Sequence, residues 1–130
     1  MNYFQKVNEY LLELGYAVTY QDEEDGVIVI ENESQGISNL VLGVADPLLV
    51  VEQYICDINN PTPEVYKQLL QKSRDIIHGA FVLDETGQKL IFRNTHELEN
   101  LDLNEIEATF NSLALLLGEY SSEILKITKN

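Results

Sequence analysis

Apolar residues recur at Tyr3, Phe4, Val7, Tyr10, Leu11 and Leu14, and Gln5, Lys6, Asn8, Glu9 and Glu13 fill the intervening positions. The three-to-four spacing predicts a helix over residues 2–14 with one face to bury, closed by Gly15. The pattern then changes to short runs rich in Val, Ile, Thr and Tyr. Ala17 to Gln21 and Val27 to Glu31 read as two strands joined by the acidic turn Asp22-Glu23-Glu24-Asp25-Gly26. After a second turn at Glu33 to Gly36, Ile37 to Ala45 reads as a strand. Leu40, Leu42 and Val44 lie on one side of it, Val41, Gly43 and Ala45 on the other. Asp46-Pro47 interrupts it, because proline donates no ladder hydrogen bond and restricts its predecessor.

Residues 48–58, LLVVEQYICDI, resume the extended pattern with apolar side chains at both parities. Leu48, Val50, Tyr54, Cys56 and Ile58 share one, Leu49, Val51 and Ile55 the other. A strand apolar on both sides is expected to be covered on both sides. The second cover is either a later helix or another copy of the chain. Thr62 then reads as an N-cap, with Pro63 at the first helical position and Glu64 at the positive end of the dipole. Val65, Tyr66, Leu69, Leu70, Ser73, Ile76 and Ile77 form the buried stripe of the predicted helix, and Gly79 lets the chain leave it. Ala80 to Leu83 and Leu90 to Phe92 flank Asp84-Glu85-Thr86-Gly87, the strongest hairpin signal in the chain. Asn94 to Leu101 reads as a polar connection.

Asp102 and Glu105 make a capping-box pattern, and Leu101 and Ile106 are spaced for a hydrophobic staple. One long helix is predicted over residues 102–126. Helix, three or four antiparallel strands, helix, hairpin, helix is an α+β order. The expected architecture is a two-layer sandwich, an antiparallel sheet of five or six strands with its helices, in a single domain over 1–130. This chain length supports a hydrophobic core without disulfide or metal.

Charge narrows the partners. Eight Lys and Arg against 22 Asp and Glu give a formal net charge of −14. Phosphate-backbone binding rests on Lys and Arg, as does attraction to anionic lipid, so neither nucleic acid nor membrane is expected as a partner. Cys56 is the lone cysteine and is read as a packed apolar residue in a reducing cytoplasm. The first residues lack the basic start and continuous apolar run of a signal peptide, and no run approaches a membrane span.

Candidate chemistry is sparse. If Gly26 were the sixth position of a calcium loop, the first would fall on Gln21 and the twelfth on Asn32, so both key carboxylates are missing. His78 sits at a helix end, and His96 falls in a polar stretch beside Glu97 and Glu99; neither has the converging ligands of a metal site. No phosphate-binding glycine loop or nucleophile-elbow pattern occurs. No catalytic, cofactor or metal residues are assigned, and an enzyme is not expected.

The segment LLQKSRDIIHGAFVLDETGQKLIFRNT, followed by ENLDLNEIEATFNSLALLLGEYSSEIL, resembles the YbjN-type domain. That domain is similar to the type III secretion chaperones of the CesT/Tir-chaperone kind. The residues that carry the likeness are the end of the second helix, Gly79, Phe81-Val82-Leu83-Asp84, Gly87 and the final helical stripe. The resemblance implies a small, acidic, cytoplasmic homodimer that holds a protein client without chemistry. Leu49, Val51, Ile55, Tyr66 and Leu70 are the expected dimer or partner contacts. The alternative is a sensor that takes a small molecule between the sheet and the long C-terminal helix.

Overall fold

A computed structural model describes residues 2–129. The chain runs α1 (Tyr3–Glu13), β1 (Ala17–Asp22), β2 (Val27–Asn32), a 3₁₀ turn (Glu33–Gln35), β3 (Ile37–Ala45) and β4 (Leu48–Asp57). It continues through α2 (Pro63–Ser73), β5 (Ala80–Leu83), β6 (Lys89–Glu97), α3 (Leu103–Glu119) and α4 (Ser121–Lys129). The strands form one antiparallel sheet in the order β1-β2-β3-β4-β6-β5. This is the α+β architecture that the pattern predicts, with six strands.

Local chemistry starts and stops the elements. The Thr62 hydroxyl accepts the Val65 amide at 3.3 Å, and the Asp102 carboxylate accepts the Glu105 amide at 2.9 Å, each satisfying a donor that the first helical turn leaves open. In the β5–β6 hairpin, Asp84 Oδ1 accepts the backbone amides of Gln88 and Lys89 and the Thr86 hydroxyl. Gly87 takes the left-handed conformation at φ 74°, which glycine adopts without a Cβ clash. The Tyr66 hydroxyl donates to the Gly87 carbonyl at 2.8 Å and ties α2 to this turn.

Strand alternation sorts the sheet into two faces. The inner face carries Ile28 and Ile30, Leu40 and Leu42, Leu49 and Val51, and Leu90 and Phe92, all buried. Against them pack Val7 and Leu11 of α1, Val65 and Leu69 of α2, Phe110 and Leu113 of α3, and Ile124 of α4. The Tyr16 and Phe110 rings lie 4.6 Å apart at the centroids, tilted by 50°.

Three expectations are corrected. The long C-terminal helix is two helices. Tyr120 sits between them at φ −112°, ψ −1°, after Gly118 and before Ser121 and Ser122, residues with weak helical preference. The break lets α4 pack on α2 and β4, where Thr128 meets Cys56 and its carbonyl accepts the Asn59 amide at 2.9 Å. The second helix stops at Ser73, so Ile76 and Ile77 belong to the connector, and Ile77 is 77% exposed. The strand after Gly87 runs from Lys89 to Glu97, well past Phe92, so the first half of the expected polar connection is sheet.

Gly26 tests the packing at the β1–β2 turn. It is left-handed at φ 71°, and an added Cβ would lie 2.3 Å from the Val44 carbonyl oxygen. Gly15 is also left-handed, with nothing near its missing Cβ. Gly15→Ala is expected to cost about 1–2 kcal/mol from backbone conformation alone. Gly26→Ala is expected to cost about 2–4 kcal/mol because backbone must also shift. Urea denaturation of both variants checks the order; equal losses would contradict it.

Candidate functional site

The outer face of the sheet is where apolar surface accumulates. β2 contributes Val27 and Val29, β3 contributes Val41 and Gly43, β4 contributes Val50, and β6 contributes Ile91. The register places Val29 opposite Val41, Gly43 between Val27 and Val50, and Ile91 between Tyr54 and Val82. Valine and isoleucine favour strands because their branched side chains pack on a pleated surface. Here the valines of β2, β3 and β4 form a patch, and the Glu52–Arg93 row of the sheet separates it from Tyr54 and Ile91. A shallow trough of about 620 Å³ crosses its middle, lined by strand residues alone, among them Asn39, Val41, Gly43, Val50, Tyr54 and Ile91.

Polar groups interrupt this face, and Glu52 and Lys89 also line the trough. Arg93 faces Glu52 at 3.6 Å. Lys89 pairs with Asp57 at 3.1 Å and lies over the Tyr54 ring, while the Tyr54 hydroxyl donates to Asp57 at 2.8 Å. The Tyr54 hydrogen bond and then Lys89 hold the Asp57 carboxyl below its ordinary pKa. These exposed pairs add little stability, but they fix the side chains around the trough.

A second apolar surface lies at the β5 edge. β5 pairs only with β6, and Ala80-Phe81-Val82-Leu83 carries no charge or proline of the kind that blunts exposed edges. Beside it, Leu70 of α2 is 70% exposed, and a pocket of about 110 Å³ lies among Tyr66, Leu69, Leu70, Phe81, Leu83 and Leu90.

The five residues expected to touch a partner therefore fall in three places. Leu49 and Val51 point into the chain's own core, 0% and 1% exposed. Ile55 sits at the irregularity in β4 between Tyr54 and Cys56 and is half-buried. Tyr66 and Leu70 lie at the β5 edge. On β4 the exposed parity is that of Leu48, Val50 and Tyr54. The space between sheet and α3, where a small ligand was the alternative, is packed by Phe92, Phe110 and Leu113.

His96 lies on β6, where its side chain meets α3. Its Nε2 is 2.8 Å from the Thr109 hydroxyl, which also accepts from Asn94 Nδ2 at 2.8 Å and donates to the Glu105 carbonyl at 3.2 Å. This set is satisfied when Nε2 carries the proton. The other ring nitrogen, Nδ1, is 3.8 Å from Glu105 Oε2. Burial lowers the His96 pKa; Glu105 opposes that shift, and His78 adds to it. The alternation Leu90, Phe92, Asn94, His96, Leu98 was the available signal for this inward-facing polar pair, masked by its polarity. Among the described residues, no group of three or more His, Cys, Asp or Glu could hold a metal ion, and no helix is long and apolar enough to cross a membrane.

The whole chain, residues 1–130, matches the CesT_Tir_1 family and belongs to it. Its fold is shared by three solved structures of low sequence identity. A chain of the ExsC–ExsE complex aligns with TM-score 0.69 and 20% identity, over 95% of this chain and 97% of that one. YbjN from E. coli aligns with TM-score 0.61 and 11% identity, over 92% and 91%. A chain of the Yersinia pestis type III secretion chaperone SycH, solved with a stable fragment of YscM2, aligns with TM-score 0.61 and 17% identity, over 89% and 99%. No curated protein matches the chain in sequence.

The His96 cluster makes a pH prediction. Because its folded pKa is depressed, the fold favours neutral His96. That contribution is complete above the unfolded histidine pKa of about 6.5 and is lost as pH falls through the folded value. The thermal midpoint should therefore drop between about pH 7 and pH 5, and His96→Gln should flatten the drop. Thr109→Val keeps the shape but strips Asn94 and His96 of their shared acceptor, at an expected cost of about 1–3 kcal/mol. Parallel pH profiles for parent and His96→Gln would contradict the assignment.

Proposed function

We propose that this CesT_Tir_1 chain is a non-enzymatic, chaperone-like binding domain, one unit over residues 1–130, that works as a cytoplasmic homodimer and holds a second polypeptide. The observation that carries this reading is the uncovered β-branched face of the sheet. Apolar patches of this kind on a folded chain mark sites for other macromolecules. The likeness to a secretion chaperone solved with a fragment of another protein supports it.

The self-contact is assigned to the β5 edge. A two-fold interface brings one patch against its own copy, and an unblunted edge strand beside an exposed leucine suits that geometry. Antiparallel pairing of two β5 strands would place Leu70, Tyr66 and Leu83 of each copy around the join. Leu49 and Val51, buried on the inner face of β4, belong to the core rather than to this contact.

Light scattering should give twice the subunit mass of 14.8 kDa. Leu70→Asp, at an exposed helix position, should leave folding intact and weaken dimerisation by about 100-fold or more, since it buries an unpaired charge at the join. The parent protein should also delay aggregation of reduced insulin B chain, used as an unfolded acceptor. A monomeric parent that gives no protection at any ratio would overturn the proposal.

A further inference from the structure

The seam between β3 and β4 closes only part of the way along the strands. The two strands hold nine and ten residues, yet their register runs only from Ala45–Leu48 to Val41–Glu52. Beyond Glu52, among the described residues, β3 pairs with β2 alone, through Leu40 and Ile37, and β4 pairs with β6 alone, from Gln53 to Asp57. Each strand carries an extra residue just there. Leu40 to Ile37 of β3 faces the shorter stretch Ile30 to Asn32 of β2, and Asn39 within it is left-handed at φ 53°. Tyr54 and Cys56 of β4 face Ile91 and Leu90, with Ile55 left over. Such bulges bend and twist a strand out of its ladder, so the two strands part where their bulges lie side by side.

One side chain spans the parting. Gln53 is 7% exposed. Its Nε2 donates to the Ser38 carbonyl on β3 and, at 3.0 Å, to the Tyr54 carbonyl on β4. Both Nε2 protons are thereby used, and turning the amide over would set its oxygen against two carbonyls. The orientation is therefore fixed. It leaves Oε1 buried with no donor among the described residues. A buried acceptor without a donor is costly, and folded chains keep few of them.

We propose that Gln53 is a latch on this seam. In the closed form its amide bridges β3 and β4. In the parted form water reaches Oε1 and the carbonyls of Ser38 and Tyr54. Parting gives up two hydrogen bonds between neutral groups and hydrates an acceptor that the closed form leaves unpaired. The ladder from Val41–Glu52 to Ala45–Leu48 stays intact, so parting costs far less than unfolding. Asn39 and Tyr54 stand on either side of the seam and line the trough on the outer face. The latch therefore sets how far the trough reaches into the sheet.

Hydrogen exchange followed by NMR tests this in the whole chain. In the parent the Gln53 side-chain amide protons should be protected, but by a factor roughly 100 or more below that of the Leu42 and Val51 backbone amides. Their exchange should also depend less steeply on urea. Gln53→Met keeps the length and burial of the side chain without its donor or acceptor. It leaves both carbonyls unpaired in the closed form, so exchange at Ser38, Asn39, Tyr54 and Ile55 should rise by roughly tenfold or more. Leu42 and Val51 should change only as far as global stability does. Gln53→Asn, too short to reach both carbonyls, should act in the same direction.

Gln53 protons that exchange with the protection and urea slope of Leu42 and Val51 would mean a rigid seam and overturn the proposal. So would variants that shift Ser38, Asn39, Tyr54 and Ile55 by the same factor as Leu42 and Val51, because Gln53 would then be an ordinary core tie. Should neither variant fold, the exchange of the parent decides alone.

Discussion

A single layer of helices can cover only one face of a sheet. In this chain α1, α2, α3 and α4 all contribute to the core on the inner face, where Leu, Ile and Phe side chains fill the interior. The outer face is left with Val27, Val29, Val41, Val50 and Ile91, short β-branched side chains that stabilise strands without needing a deep core. An antiparallel sheet with one wet face normally alternates apolar and polar residues. Here the outward positions of β2, β3 and β4 carry Val27, Val29, Val41 and Val50, while Glu52 and most outward positions of β6 are polar. The surplus is a property of the fold, because moving these residues inward would require a one-residue slip of each strand, which would expose the present core.

The inner layer is held in place by a few polar ties. Lys72 lies between Glu123 at 2.8 Å and Asp75 at 3.4 Å and rests 3.9 Å from the Tyr120 ring centroid, so α2 and the start of α4 share one cation. Thr109 joins β6 to α3 through Asn94 and His96. Gln53, buried on the same face, donates to the carbonyls of Ser38 and Tyr54. These ties leave the outer face untouched, so the uncovered patch and the folded core can respond to substitution separately.

Much of this was legible in the sequence because it follows from local chemistry. The Thr62 and Asp102 caps, the Asp84-Gly87 turn and the parity of Leu40 and Leu42 are each decided within a few residues. What was not legible depends on tertiary contacts. Asn94 and His96 read as loop because the Thr109 hydroxyl that they share comes from α3, 15 and 13 residues further on. The break at Tyr120 is weakly signalled, since Leu115, Leu117, Ile124 and Ile127 continue a helical stripe through it. On β4 both parities are apolar, so sequence alone could not say whether Leu49 and Val51 or Val50 and Tyr54 faced outward. The neighbours settle it: Val51 pairs with Leu42, and Leu49 with His96.

Acidity and apolarity act together in this account. A net charge of −14 favours hydration of the surface, while the valine face offers apolar area. The most direct test is methyl NMR of the isolated protein with a soluble paramagnetic relaxation agent. The account predicts strong relaxation of the Val29, Val41, Val50 and Ile91 methyls and weak relaxation of Leu42, Leu49 and Val51. Outer-face methyls as shielded as those of Leu49 would mean that the face is already covered, and would contradict it.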